Sequence, residues 1–213
     1  MFQDFSSEIS VSSNTHRKLW DGAYLLAKYL ETEYPSRSKL WRRKRGVKAA
    51  ELGAGCGLVG MVAFMLGAVE VRLTDCEDGL SHTEMCLRAN RDAFSKAEAT
   101  NNERSITCNA LDWLDDEEKW LKSHEKHSYG VVVGSDIVYS SDERVLTGLL
   151  NAIDFLAAED ALILLSYKPR GLGEDVFFSL AVQKGFVASF VDSSSHPREF
   201  SGSDYEIIVF SKS

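Results

Sequence analysis

The sequence has no run approaching the roughly 18 consecutive apolar residues that a membrane-spanning helix requires, and its first residues, MFQDFSSEIS, carry no basic region leading into an apolar one. Neither membrane association nor a secretory signal peptide is therefore expected. The four cysteines, Cys56, Cys76, Cys86 and Cys108, include no CxxC pair and show no zinc spacing with the five histidines. On spacing alone this excludes a disulfide framework and a zinc finger. Reduced thiols, no metal and a cytoplasmic setting, with the nucleus as a second site, are the expectation. Basic residues are also in deficit. With 24 Lys and Arg against 32 Asp and Glu, the net charge is −8, which argues against broad binding to nucleic acid. One stretch runs the other way: RSKLWRRKRGVK, Arg37 to Lys48, holds seven basic residues in twelve positions. It reads as a nuclear address, a docking patch for an acidic partner, or a solvated loop before the first core strand.

What is present points to one domain. A chain of 213 residues with 44% apolar content can bury a single substantial core. We read 1–213 as one unit, in which 1–46 is an N-terminal extension carrying a helix from Trp20 to Glu33 that packs over the core. Seven runs have strand character: Val47–Leu52, Val69–Asp75, Ser105–Ala110, Tyr129–Asp136, Ala161–Ser166, Phe186–Val191 and Tyr205–Phe210. Helical spacing lies between them. Leu58, Met61, Val62 and Met65 form one face; Val145, Leu149, Leu150 and Ile153 form another, preceded by Ser140 and Glu143 at capping-box spacing. A third helix, from Glu174 to Lys184, ends before Gly185, a residue suited to a left-handed terminator. Alternation of strand and helix predicts an α/β fold, a Rossmann-like seven-stranded, mostly parallel sheet with helices on both faces. The last two strands are joined by thirteen polar residues, DSSSHPREFSGSD, with no helical spacing, so they should form an antiparallel C-terminal hairpin.

The segment ELGAGCGLVG, Glu51 to Gly60, follows the first strand and opens the first core helix. From Gly55 it fits G-x-G-x-x-G, the dinucleotide fingerprint; from Glu51 it fits E-x-G-x-G-x-G, a loop that holds S-adenosylmethionine (AdoMet) in many methyltransferases. Gly53, Gly55 and Gly57 permit a tight turn and close approach to a ligand. Asp75, twenty residues after Gly55, suits a ribose diol, which both cofactors carry. Glu51 favours AdoMet, because a carboxylate near the α-ammonium position would repel a pyrophosphate. Asp112 and Trp113 follow the third strand, where an acid and an aromatic can bond and cover adenine. A short-chain dehydrogenase would need Y-x-x-x-K after its glycine loop, and the sole such pair, Tyr24 with Lys28, precedes it. AdoMet is the expected cofactor.

With those pieces in place the chain resembles the seven-β-strand, methyltransferase-like protein lysine methyltransferases, a family acting on elongation factors, Hsp70-type chaperones and AAA ATPases. The resemblance runs from His16 to Phe186, through LWDGAYLLAKYLE, AAELGAGCGLVGMVAFMLGA, LTDCEDGL, ALDW, VVVGSDIVYSSD and LLSYKPR. The tryptophan-led helix and the D-x-x-Y of Asp136 to Tyr139 are its more specific parts; an (N/D)PP(Y/F) tetrad is absent. The resemblance implies that Trp20, Glu51, Gly53, Gly55, Asp75, Trp113 and Ser135 surround AdoMet, that Asp136 and Tyr139 line the channel where the target nitrogen meets the methyl group, and that the partner is a protein such as a translation factor, chaperone or ATPase. Ser135 stands where alanine is expected in many relatives. Tyr167 and Lys168 are candidates for the substrate rim. The chain is expected to be a monomer. A histidine or arginine side chain, a small molecule or RNA stays open as the acceptor, and so does a binding module that kept the fold and lost activity.

Overall fold

The computed structural model describes residues 18–35, 38–42, 46–98 and 104–212, with the backbone alone for 95–98. The stretch Arg37 to Lys48 lies partly outside the described residues. The chain opens with α1 (Asp21–Glu33) and continues through β1 (Lys48–Leu52), α2 (Leu58–Leu66), β2 (Glu70–Asp75), α3 (Glu77–Ala89), α4 (Arg91–Glu98) and β3 (Ser105–Ala110). The second half runs α5 (Glu117–Trp120), β4 (Tyr129–Ser135), α6 (Glu143–Leu156), β5 (Ala157–Tyr167), α7 (Glu174–Gln183), β6 (Phe186–Phe190) and β7 (Glu206–Lys212). Among the described residues no helix is long and apolar enough to cross a membrane.

One seven-stranded sheet has the order β3-β2-β1-β4-β5-β7-β6. The first five strands are parallel, and β7 runs antiparallel to both neighbours, inserted between β5 and β6. The expected terminal hairpin is thus present. Strand side chains alternate between two cores, as a period of two demands. Ala49, Val131 and Val133 join Leu25, Leu26 and Phe64 of α1 and α2 on one face. Ala50, Val132, Ile163 and Leu165 join Leu149, Ile153 and Phe177 of α6 and α7 on the other. Burial on both faces explains why β4 and β5 read as unbroken apolar runs.

Two local expectations change, and one helix had not been expected. The helix after Tyr139 is capped by Asp142, whose carboxylate accepts from Arg144 N at 2.9 Å. Ser140 Oγ accepts instead from Asp142 N, so the Ser140–Glu143 capping box does not form. Strand β5 begins four residues earlier than its apolar run, directly at the end of α6. Helix α3 had no apolar stripe to announce it, because its inner face is built from Gly79, His82, Thr83 and Cys86. The left-handed Gly185 (φ 81°) does follow α7.

Leu149 is wholly buried in the face packed by α6 and α7. Leu149→Ala is expected to lower the unfolding free energy by about 2–5 kcal/mol with an unchanged denaturant slope, measured by urea titration.

Candidate active site

The order β2-β1-β4 reverses direction between β1 and β4, and in such sheets the carboxyl ends of the strands at that reversal form a crevice. Here the crevice is a cavity of about 440 Å³, within the range of ligand sites. The loop after β1 forms its floor. Gly53 has φ 57°, and a side chain there would press on Ile137 Cγ2 at 2.8 Å and Trp113 at 3.3 Å, so only glycine fits. Gly55 N donates to Asp75 Oδ2 at 2.8 Å, and Thr83 Oγ1 donates to Gly55 O at 2.8 Å, which fixes the loop between β2 and α3. Asp75 Oδ1 accepts from Cys76 N at 2.9 Å.

The far wall is aromatic. Trp113 is presented by a turn in which Asp112 Oδ1 accepts from Leu114 N at 2.9 Å and Asp112 O accepts from Trp120 Nε1 at 2.9 Å. A side chain at Gly148 would strike the Trp113 carbonyl, so α6 approaches this turn as closely as backbone allows. Across the cavity Trp20 caps the start of α1, with Lys18 Nζ 4.5 Å and Arg170 Cζ 5.8 Å from its ring centre.

At the end of β4, Asp136 takes a left-handed backbone (φ 52°) and has a side chain 4% exposed. Its Oδ2 accepts from Gly22 N at 3.1 Å, and its Oδ1 accepts from Arg170 Nη2 at 3.0 Å. Ser166 Oγ completes the knot by donating to Gly22 O at 2.8 Å. Asp136 therefore ties α1, β4 and the loop after β5 together. Tyr139, 53% exposed, stands at the rim. Desolvation, with Asp75 nearby, pushes its phenol above the usual tyrosine value, so it stays neutral.

Of the residues expected from sequence, Trp20, Gly53, Gly55, Asp75, Asp112, Trp113, Ser135, Asp136 and Tyr139 all line this cavity. Gly57 does not: with φ 71° it caps α2, facing Leu73. Glu51, expected beside AdoMet, does not line the cavity either. It is 1% exposed behind the loop, its Oε2 accepts from Gly60 N at 2.7 Å, and burial pushes its pKa up to about 8. Its carboxyl group is turned into helix α2 and does not face the cavity. The two rim candidates do not line the cavity. Tyr167 is buried and its hydroxyl bonds Glu206 at 2.8 Å, while Lys168 pairs with Asp204 at 3.1 Å. The same turn supplies Arg170 to the cavity instead. Arg170 ends the segment LLSYKPR, but nothing local gave it a role, since its partner Asp136 lies 34 positions away.

A cavity between a glycine loop, a strand-end acid and two tryptophans suits a nucleoside that carries a positive charge, and its acids (Asp75, Asp112) suit hydroxyl and amine donors better than phosphate. Fold and site together define a Rossmann-like methyltransferase of the AdoMet-dependent class. The chain belongs to the lysine methyltransferase family, whose model, described as Lysine methyltransferase, matches residues 5–184. It is 30% identical over 173 residues to the Protein N-lysine methyltransferase METTL21A of Mus musculus, covering 81% of this chain and 69% of that one. It is 34% identical over 152 residues to EEF1A lysine methyltransferase 3 of Xenopus tropicalis, covering 71% of this chain and 57% of that relative. Among solved structures, the ribosomal protein L11 methylase of Lactobacillus delbrueckii subsp. bulgaricus shares the fold, with TM-score 0.56 at 15% identity over 92% of this chain and 80% of that one. So does the T. Thermophilus 16S rRNA N2 G1207 methyltransferase solved with AdoMet and guanosine, with TM-score 0.54 at 18% identity over 91% and 39%.

Two predictions test this geometry. A methyl group at Gly22 would collide with Asp136 Oδ2, so Gly22→Ala should cost about 1–3 kcal/mol of stability in denaturant titration. For Glu51 the sign is fixed by its raised folded pKa. Between an unfolded value of about 4.3 and the folded value of about 8, the native state binds more protons, so stability falls as pH rises. Glu51→Gln should flatten that decline in melting temperature measured across the same window.

Proposed function

We propose that this member of the lysine methyltransferase family transfers the methyl group of AdoMet to a lysine side chain of a folded protein. The observation that carries this reading is the convergence of nine expected residues on one cavity around the glycine loop. AdoMet, when bound, supplies an electrophilic methyl group on a sulfonium, which a neutral amine attacks in line. Asp75 and Asp112 would hold the ribose and adenine donors, with Trp113 and Trp20 covering the flat faces. An incoming lysine has an ordinary pKa of about 10.4 and must lose its proton. A lone Asp136 carboxylate would oppose that loss. Paired with Arg170 at 3.0 Å, it no longer presents a net negative charge, and desolvation at the rim then favours the neutral amine. The Asp136 carboxylate can orient the amine lone pair by accepting its remaining N–H, while Tyr139 bounds the channel.

A translation factor, chaperone or ATPase fits the partner. EEF1A, from which one relative takes its name, is the first acceptor to test. The chain spans 57–69% of the length of these two relatives, so the substrate is inferred for this chain and not carried over whole. A monomer in the cytoplasm with access to the nucleus completes the reading; the four thiols, in no disulfide among the described residues, agree with a reducing setting.

The test begins with calorimetric titration of the purified protein with AdoMet, S-adenosylhomocysteine and NAD, followed by labelled methyl transfer to EEF1A and to lysate, with mass spectrometry of the product. Binding of the first two ligands and label on lysine supports the proposal; label on histidine, arginine or RNA redirects it, and NAD binding alone rejects it. Trp113→Ala should weaken S-adenosylhomocysteine by about 5–150-fold, the equivalent of 1–3 kcal/mol of lost stacking. Asp136→Asn, which tolerates the left-handed backbone, should lower kcat by about 100-fold and change cofactor affinity by less than about tenfold. Equal losses in both would make Asp136 a part of the cofactor site alone.

A further inference from the structure

Helix α3 and the glycine loop bring together three side chains that the chemistry above does not use. His82 and Cys86 lie four apart on one face of α3, the buried face. Cys56, between Gly55 and Gly57, reaches them from the loop. Cys56 Sγ and Cys86 Sγ each stand 3.5 Å from the same nitrogen, His82 Nε2. All three ligand atoms lie within 4.8 Å of one another.

That spacing has a specific meaning. Zinc bonds of about 2.3 Å to sulfur and about 2.0–2.1 Å to imidazole, opened to the tetrahedral angle, separate sulfur from nitrogen by about 3.5 Å. Both observed sulfur-to-nitrogen distances match that edge. The two sulfurs lie within 4.8 Å of each other, against about 3.8 Å in a tetrahedron, and need approach by no more than about 1 Å for one cation to meet all three atoms. The donors are two thiols and an imidazole, a set that selects a soft d¹⁰ ion over magnesium or calcium. Cys56 also lines the cavity, giving an ion and a fourth ligand a way in to the buried His82 and Cys86.

We propose that Cys56, His82 and Cys86 form a binding site for a soft d¹⁰ cation, with zinc as its representative, on the wall of the cofactor cavity. Binding converts two S–H groups to thiolates, releases two protons to solvent and leaves the imidazole neutral. The ion would tie the glycine loop to α3 through bonds that add to the Thr83–Gly55 hydrogen bond. Cysteine spacing did not reveal the site, because its ligands come from a loop and a helix 26 residues apart.

The experiment titrates the reduced, chelator-treated full-length protein with cobalt and then zinc. One equivalent of cobalt should produce thiolate-to-cobalt charge-transfer absorption and tetrahedral visible bands, displaced by zinc, with two protons released per ion. Cys86→Ser and His82→Asn should lose one-to-one saturation and the band; Cys108→Ser, outside the cluster, should keep both. X-ray absorption of the zinc-loaded natural sequence requires no variant to fold, and should give two sulfurs at about 2.3 Å and an imidazole nitrogen at about 2.0 Å. No charge-transfer band, a band that survives both cluster variants, or a shell of oxygen and nitrogen alone would overturn the proposal.

Discussion

The carboxylate of Asp136 is the contact on which the cavity depends. Its two oxygens accept from the backbone of α1 at Gly22 and from Arg170 beyond β5. That link joins the helix carrying Trp20 and the loop carrying Arg170 directly to the end of β4. The price of the arrangement is visible in the backbone: Asp136 sits at φ 52°, a conformation that disfavours most residues other than glycine, asparagine and aspartate. Asp136 N donates to Ser166 O at 2.8 Å, and Ser166 Oγ returns to Gly22 O. The strain is held by three elements at once, as expected where a site over-determines its own geometry.

A second carboxylate organises the opposite end. Asp75 accepts from Gly55 N and Cys76 N, so the acid facing the cavity also shapes the loop beside it. Glu51 does the same from behind, bonding Gly60 N. The two acids differ in what their surroundings allow. Glu51 is enclosed, and desolvation outweighs its backbone bonds, raising its pKa. Asp75 borders the cavity, where a ligand's hydroxyl groups can reach it. Position relative to the loop, and not residue type, therefore separates the acid that borders the cavity from the enclosed one.

What was legible in the sequence follows from this. Strands buried on both faces and helices with apolar stripes announce themselves by period, so β1 to β7, α1, α2, α6 and α7 were readable. The glycine loop and strand-end Asp75 were readable because their geometry is local. Helix α3 was hidden, since glycine, histidine, threonine and cysteine line its inner face in place of leucine. The side to which Glu51 turns was not readable, because E-x-G-x-G-x-G fixes where the acid lies along the chain but not to which side of the loop its carboxyl turns. Tyr167 and Lys168 were singled out from the turn that contains them, yet strand alternation turns Tyr167 into the core, and Lys168 is drawn to Asp204. Arg170 was invisible because its partner comes from another strand. Local periodicity and motifs thus reveal the scaffold and the loop, while charge pairs formed across the sheet need coordinates.

That last class of contact bears directly on how an amine would be activated here. An acid at the meeting point of amine and methyl group is a poor activator alone, because a bare carboxylate stabilises the ammonium that must be avoided. The Asp136–Arg170 pair changes the balance. Two unit charges at about 3 Å leave a small dipole at longer range, and the guanidinium is nearly three-quarters buried beside Trp20. On the proposed reading, the acceptor nitrogen then meets a directional hydrogen-bond acceptor without a net negative field. Lys18, also over Trp20, adds positive potential on the same side. On the proposed reading, Asp75 and Asp112 give the cavity acids for the cofactor's donors, and the rim is neutral to positive where the nucleophile enters. By the same reading, the two cations packed on Trp20 favour the uncharged form of an incoming amine, and the Asp136 carboxylate faces the positive charge that then develops on its nitrogen.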